Sequence, residues 1–208
     1  MNTSNVTAAA PKVAGAVYVA PLGTELPKKA DTDLAPQFKE LGYVSDSGMT
    51  NSNSPSSTDV KEWGGSTVLT ATSEKPDNFK FKLLEVLSVD VLKTVYGSNN
   101  IEILEDGTIV VHAKADDPEE LVWVFDMILK GGALKRIVVP DAKISSVGDI
   151  VYIRSDATGY DLTITAYPDK SGDTHTEYIK KKTATSGGAS TEKPVQREEP
   201  VQNEEAQG

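Results

Sequence analysis

The sequence predicts a mainly β fold in which two antiparallel sheets pack as a sandwich or barrel, with one short α-helix and one long loop. Three observations lead there. Residues 160–167 alternate strictly between two faces, as in a half-buried strand. About eight or nine strand-like segments are separated by turn signals. Convincing helix signals occur only between Ser88 and Gly97. The length of 208 residues suggests one domain and at most two.

The first third of the chain is predicted to hold two strands and a long loop. Residues 14–20 form a short apolar strand that ends at Pro21, and residues 21–36 are a loop. Residues 38–44 alternate again and are predicted to be a strand. Residues 45–58 are polar throughout and are predicted to be a structureless loop, since they bury too little apolar surface to order alone.

A polar loop of this length is either a mobile surface segment or one that folds against a neighbouring subunit. Trp63 follows it and either anchors the loop or lies in the core. The residues assigned to the inter-subunit hypothesis are Ser45, Asp46, Met49, Asn51, Asn53, Pro55 and Trp63.

The middle of the chain predicts two hairpins and the helix. Residues 66–75 and 79–87 are predicted to pair around a turn at 76–78. Ser88 is a good helix N-cap and Gly97 suits the position after the last helical turn. The Asp106-Gly107 turn lies between two β-branched runs and predicts a second hairpin.

The last third predicts the core strands. Residues 121–129 are nearly all apolar and are predicted to be covered on both faces, with Asp126 a partnered or edge-exposed carboxylate rather than a catalytic one. Pro140 marks a strand edge, a strand end or a bulge. Residues 150–153 are predicted to be a strand before residues 160–167, and residues 174–182 a final polar strand.

No catalytic, cofactor or metal site is predicted. The chain has no cysteine, which excludes disulfides, thiolate metal sites and a cysteine nucleophile. The acidic stretch 116–120 has four carboxylates, but Pro118 and the absence of ligand spacing favour a solvated turn. His112 is predicted to lie at a rim and His175 to be exposed, and no phosphate-binding glycine loop is present.

The domain boundaries follow from composition. Residues 1–12 are predicted to be a flexible arm, residues 13–182 the β domain, and residues 183–208 a disordered tail without Leu, Ile or aromatic residues. No secretion signal and no membrane-spanning apolar run is seen. The formal net charge of −10 argues against a surface that grips nucleic-acid phosphates.

Residues 134–169 carry a family resemblance. The run K-R-I-V-V-P-D-A-K-I, then V-G-D-I, and later G-Y-D-L-T-I-T-A-Y-P-D resemble the major tail protein, or tail tube protein, of long-tailed, non-contractile bacteriophages. The order of elements extends the likeness more loosely over residues 13–180. These are packing and turn residues, so the resemblance implies a tail-tube fold and no active site.

The resemblance implies a structural protein of the virion, made in the host cytoplasm. Such subunits assemble as hexameric rings that stack into a tube, and one sheet of each subunit lines the lumen. The polar loop and the chain ends bridge neighbouring subunits and rings. Expected partners are other copies of the chain and the tape measure, terminator and distal tail proteins, while DNA passes through during ejection without specific binding and no membrane is involved.

Two alternatives stay open at this point. One is the tube of a contractile injection system, which is also structural. The other is a secreted surface- or carbohydrate-binding β-module, which the absence of a signal sequence and the scarcity of exposed-looking aromatics disfavour. An enzyme is the least favoured class, because no constellation of residues satisfies an active site.

The acidic balance suggests a second hypothesis about the lumen. A tube that releases DNA quickly should not offer clustered Lys or Arg to its phosphates. Ordinary solubility explains the negative charge equally well. The acids assigned to the lumen on strands or turns are Glu102, Glu105, Asp106 and Asp161.

Overall fold

One antiparallel sheet, curled over on itself, forms the body of the protein. The computed structural model describes residues 6–12 and 16–182. In this part of the chain the helix is α1 (Val89–Tyr96), followed by a 3-10 turn at Ser98–Asn100. The strands are β1 Ala9–Pro11, β2 Val17–Pro21, β3 Lys39–Glu40, β4 Val44–Ser52, β5 Ser56–Lys61, β6 Thr67–Glu74, β7 Asp77–Leu83, β8 Ile101–Ile103, β9 Ile109–Val111, β10 Leu121–Leu129, β11 Ala133–Val147, β12 Tyr160–Ala166 and β13 Thr176–Lys180.

The main sheet has the order β3-β2-β10-β11-β12-β7-β4, with β1 also beside β10 and β13 also beside β11. Aromatic contacts show how its two halves pack. Phe79 and Phe81 of β7 contact Phe125 of β10 with ring centroids 5.5 and 5.3 Å apart, and Phe81 also lies 5.8 Å from Trp123. The β2-β10-β11 half therefore covers the β12-β7-β4 half, which confirms the predicted sandwich of antiparallel layers.

The two clearest sequence patterns are confirmed. Tyr160, Leu162, Ile164 and Ala166 of β12 are all buried, and the residues between them are half-buried. In β10, the run from Val122 to Asp126 is buried on both faces. One face joins the main core, and Val122 and Val124 on the other face join a second cluster with Phe38, beneath residues 26–35.

Pro140 lies at a bulge, one of its predicted positions. β11 runs through it without a break, but the partners of Leu121 and Trp123 are Ala142 and Val139, so β11 has one extra residue at this point. Beyond the bulge, β11 pairs with β12 from Ala142 onwards. Proline lacks an N–H and is accommodated where a ladder is interrupted.

The helix and the short hairpin also agree with the predictions. Ser88 is the N-cap of α1, and Gly97 follows its last turn at φ 92°, a conformation that favours glycine. Val91 and Leu92 are buried on the sheet. β8 and β9 form a separate two-stranded hairpin around the Gly107 turn.

The predicted loop at residues 45–58 is wrong, because most of it forms β4 and β5. The predicted pairing of residues 66–75 with 79–87 is also wrong: β6 pairs with β5, while β7 pairs with β4 and β12. A strand requires partners for its backbone N–H and C=O groups, and polar side chains do not prevent this when they face solvent.

Residues 150–153 are not a strand, contrary to the prediction. Val151, Tyr152 and Ile153 are exposed. The adjacent strand β12 already has β11 on one edge and β7 on the other, so it offers no free backbone groups to this segment.

The N-terminal segment differs from a flexible arm where it is described. Ala9, Ala10 and Pro11 pair with Leu129, Ile128 and Met127 of β10. The small side chains carry little strand propensity, and the pairing comes from the free edge of β10. Residues 1–5, 13–15 and 183–208 lie outside the described residues, and the predicted C-terminal tail falls entirely among them.

Candidate assembly surfaces

Residues 44–83 form one long hairpin. At its base β4 pairs with β7 as far as Ser52 opposite Asn78, and further out β5 pairs with β6 from Ser56 opposite Glu74. A turn closes the tip, where Glu62 N donates to Ser66 O at 3.0 Å and Gly65 N donates to Glu62 O at 2.9 Å. The hairpin is thus part of the main sheet at its base only.

The distal half of the hairpin stands in solvent. Every side chain from Ser57 to Ala71 is exposed, and β5 and β6 pair with each other. Val60 lies opposite Leu69, so the two apolar side chains share a face. Trp63 at the tip is fully exposed. Because an isolated two-stranded hairpin is marginally stable in water, this half is expected to gain its stability from a partner.

A buried carboxylate fixes the base of the hairpin. Asp77 is 1% exposed. Its Oδ1 accepts a hydrogen bond from Asn51 Nδ2 at 2.7 Å, and its Oδ2 accepts one from Thr174 Oγ1 at 2.6 Å. His175 Nδ1 lies 2.5 Å from the same Oδ2. The Asp77 cluster therefore joins β4, β7 and the turn before β13, and His175 is mostly buried rather than exposed as predicted.

Replacing Asp77 with Ala is expected to lower the free energy of unfolding at pH 7 by about 1–3 kcal/mol, because Asn51, Thr174 and His175 lose a charged acceptor. Burial raises the pKa of Asp77, but hydrogen bonds from Thr174 and Asn51 and the contact with His175 outweigh burial and leave this pKa below its ordinary value. A lowered carboxyl pKa stabilises the fold above the unfolded value of about 3.9, and this is lost as pH falls through the folded value.

Urea unfolding at pH 7 and at pH 3 measures this effect, and Asp117→Ala is the matched control because the Asp117 side chain is 92% exposed. The difference in free energy of unfolding between wild type and Asp77→Ala should be smaller at pH 3 than at pH 7. A gap that is constant or wider at pH 3 would contradict the stabilising role of the ionised carboxylate.

A groove opens beside the base of the hairpin, between β1 and β4. Its volume is about 370 Å³. Ala10 and Pro11 of β1 line one side, Met127 of β10 lies on the same half of the sheet, and Ser45 and Met49 of β4 line the other side. β4 has more residues between Val44 and Met49 than β7 has between their partners Leu83 and Phe81, so the chain bulges out at the groove.

The structure separates the residues predicted for the inter-subunit loop. Ser45, Asp46 and Met49 line the groove. Asn51 belongs to the Asp77 cluster, Asn53 and Pro55 are exposed at the junction of the two hairpin halves, and Trp63 is at the tip rather than at the base or in the core. They share one hairpin, but they do not form one patch.

The acids predicted for the lumen lie in two places. Glu102, Glu105 and Asp106 are exposed on the β8-β9 hairpin. The Thr108 N–H donates to Asp106 Oδ1 at 2.9 Å, and this hydrogen bond holds the pKa of Asp106 below its ordinary value. Asp161 is on β12, and its Oδ2 lies 3.3 Å from Lys80 Nζ. The structure therefore brings three of the four together.

A buried ion pair holds residues 22–38 on the sheet. Arg136 Nε and Nη2 donate to the two carboxylate oxygens of Asp126 at 2.6 and 2.7 Å, and both side chains are buried. Arg136 Nη1 also donates to the backbone oxygens of Lys29 and Thr32 at 3.0 and 2.8 Å. Asp126 is thus partnered as predicted, and the role of Arg136 was missed because nothing in its local sequence marks it as buried.

Among the described residues, no three His, Cys, Asp or Glu side chains lie close enough together to hold a metal ion. In the same part of the chain, no helix has both the length and the apolarity to span a membrane. A family model described as phage tail tube protein matches residues 1–189.

The chain belongs to the phage tail tube protein family. This confirms the family suggested by residues 134–169 and makes the tail tube protein a structural component of the virion tail, which assembles with copies of itself and with other tail proteins. No curated protein matches the chain.

Proposed function

We propose that this tail tube protein forms hexameric rings that stack into a hollow tube, and that the phage genome is ejected through it. The observation that carries this proposal is the exposed distal hairpin. Val60, Leu69 and Trp63 expose apolar surface in a family of self-assembling proteins. Large exposed apolar side chains rimmed by polar ones mark interaction surfaces.

Unpaired strand edges support the same proposal. Within the described residues, β3 and β4 lie at the two ends of the main sheet, and β13 pairs with β11 on one side. Such edges present free N–H and C=O groups that can pair with another chain. Edge pairing between neighbours would continue the sheet around a ring and enclose a lumen.

The remaining partners are proposed from the family. The tape measure protein would occupy the lumen before ejection, and the terminator and distal tail proteins would cap the two ends of the tube. DNA would pass without specific binding, and the net charge of −10 favours this because phosphate binding requires clustered Lys and Arg.

Negative-stain electron microscopy of the purified protein at high concentration tests the proposal. The expected result is hollow tubes or rings whose end views show sixfold symmetry. A protein that stays monomeric at every concentration, or end views with another symmetry, would contradict hexameric stacking. A cross-linking time course read by mass spectrometry gives the subunit number independently.

We also propose that the tube bore is negative and that Glu102, Glu105 and Asp106 line it, whereas Asp161 is paired with Lys80 at 3.3 Å. Changing these three acids to Lys should slow genome ejection at low salt, where attraction to phosphates is least screened. Ejection rates measured in vitro at two salt concentrations check this, with Glu25→Lys as a single-site control. Equal rates at low salt would contradict the proposal.

A further inference from the structure

The hairpin tip and the groove between β1 and β4 have complementary properties. The chain has two Trp residues. Trp123 is completely buried in the core, whereas Trp63 at the tip is completely exposed. Trp is strongly enriched among the residues that carry binding energy at protein interfaces. An exposed Trp on a hydrogen-bonded turn is therefore the best candidate in the described chain for an anchor that enters a partner.

Apolar side chains line most of the groove, and Ser45, Asp46 and Ser47 line part of its β4 side. Exposed Ala10 and Pro11 form a low wall of small side chains, while Met49 and Met127 are half-buried on the other sides. Unbranched Met side chains adapt to the shape of an inserted group. The volume of about 370 Å³ falls within the roughly 300–1,000 Å³ of cavities that hold small organic groups.

Trp63 does not occupy the groove of its own subunit in this conformation. Trp63 lies fourteen positions after Met49, which is at most about 46 Å at ~3.3 Å per residue. Its side chain is completely exposed, so it does not contact the groove. β5 and β6 pair with each other and carry exposed side chains throughout. The tip is thus held away from the body, and its acceptor belongs to another molecule.

We propose that Trp63 of one subunit inserts into the β1-β4 groove of the next subunit. This inference rests on the proposed self-assembly and identifies its contact. Each subunit donates a tip and accepts one, so the contact is heterologous, and repetition of it either closes a ring or extends a filament. Lys61 and Glu62 precede Trp63, so the tip brings no net charge to the groove that Asp46 lines.

Cysteine pairs test the contact directly, since the chain has no cysteine of its own. Glu62→Cys places a thiol beside the tip and leaves Trp63 intact. It is combined with Met49→Cys or with Ala10→Cys, which place the second thiol on opposite sides of the groove. Met49 is half-buried and Ala10 is exposed, so Ala10→Cys disturbs the fold less. Ser171→Cys, in an exposed turn outside the groove, is the control partner.

Assembled protein treated with a short bis-maleimide should give a ladder of covalent oligomers from both groove pairs and only background from the control pair. Tryptophan emission adds a second readout. Emission should shift to shorter wavelength on assembly as Trp63 is buried, and Trp63→Phe should remove this shift because Trp123 is buried in both states.

The outcomes separate this inference from the proposed function. Suppose that tubes form normally but neither groove pair cross-links, or the control pair cross-links equally. The Trp63 contact is then wrong, and the proposed tube is unaffected. Wild-type protein that forms no rings or tubes overturns the proposed function, and the contact is rejected with it.

Discussion

Arg136→Leu is expected to destabilise the tail tube protein by about 3–5 kcal/mol, because it removes two hydrogen bonds from the buried Asp126 carboxylate and leaves only Lys12, whose Nζ lies 3.7 Å from Oδ2. Asp126 is 3% exposed and Arg136 1% exposed. The variant also removes the donor to the Lys29 and Thr32 carbonyls, so residues 22–38 should become more sensitive to protease. Urea unfolding and limited proteolysis measure the two effects.

Lys80→Leu is the matched control, since the Lys80–Asp161 pair has side chains 61% and 37% exposed and such pairs contribute about 0–1 kcal/mol. The double variant Arg136→Leu/Asp126→Leu should recover much of the loss, because an apolar pair carries no unpaired charge. An exposed ion pair contributes up to about 1 kcal/mol. If the free energy of unfolding of Arg136→Leu differed from that of wild type by no more than this, the Arg136–Asp126 pair would not hold residues 22–38 on the sheet.

Removing the distal half of the hairpin is expected to abolish tube formation and to leave the monomer folded. The variant replaces residues 53–76 with a short turn between Ser52 and Asp77. The side chains from Ser57 to Ala71 are exposed, so their removal takes no side chain out of the core, whereas Trp63 is lost. Electron microscopy measures assembly, and thermal unfolding measures the integrity of the body.

The deletion must leave β4 intact, because Met49 packs against the main core and Asn51 donates a hydrogen bond to Asp77. A milder variant, Val60→Asn with Leu69→Asn, keeps the hairpin and removes its apolar face, and should raise the concentration needed for assembly. Thr58→Asn is the control for an added amide in β5. Normal tubes from the deletion variant would exclude the hairpin from assembly.

The sequence could predict those elements whose signal is local. Alternation in residues 160–167 reports a half-buried strand, because side chains on a strand point to opposite faces. Ser88 and Gly97 mark the helix because their backbone positions need a cap and a positive φ. The continuous apolar run of β10 predicts a strand that is buried on both faces. A carboxylate within such a run, Asp126, is expected to have a partner because burying an unpaired charge is unfavourable.

The candidate site was only partly predictable. Residues 45–58 are predicted to be a structureless loop because they are polar throughout, and that prediction is wrong because most of them form β4 and β5. Polar side chains indicate that a segment is not buried, but they do not indicate whether its backbone N–H and C=O groups pair with another strand. β4 is ordered because β7 satisfies its backbone, and β7 in turn is held by β12, nearly eighty residues further along the chain.

The β class, the helix and the short hairpin could be predicted from local patterns, because periodicity, caps and turn residues act within a few positions. The family was suggested separately, by the resemblance of residues 134–169. The tertiary structure alone decided the partners of β6 and β7, the exposure of Trp63, the Asp77 cluster and the groove. These depend on which distant strand edges are free and which are already occupied. A local sequence pattern does not indicate which edges are free, because every residue except proline has the same backbone N–H and C=O groups.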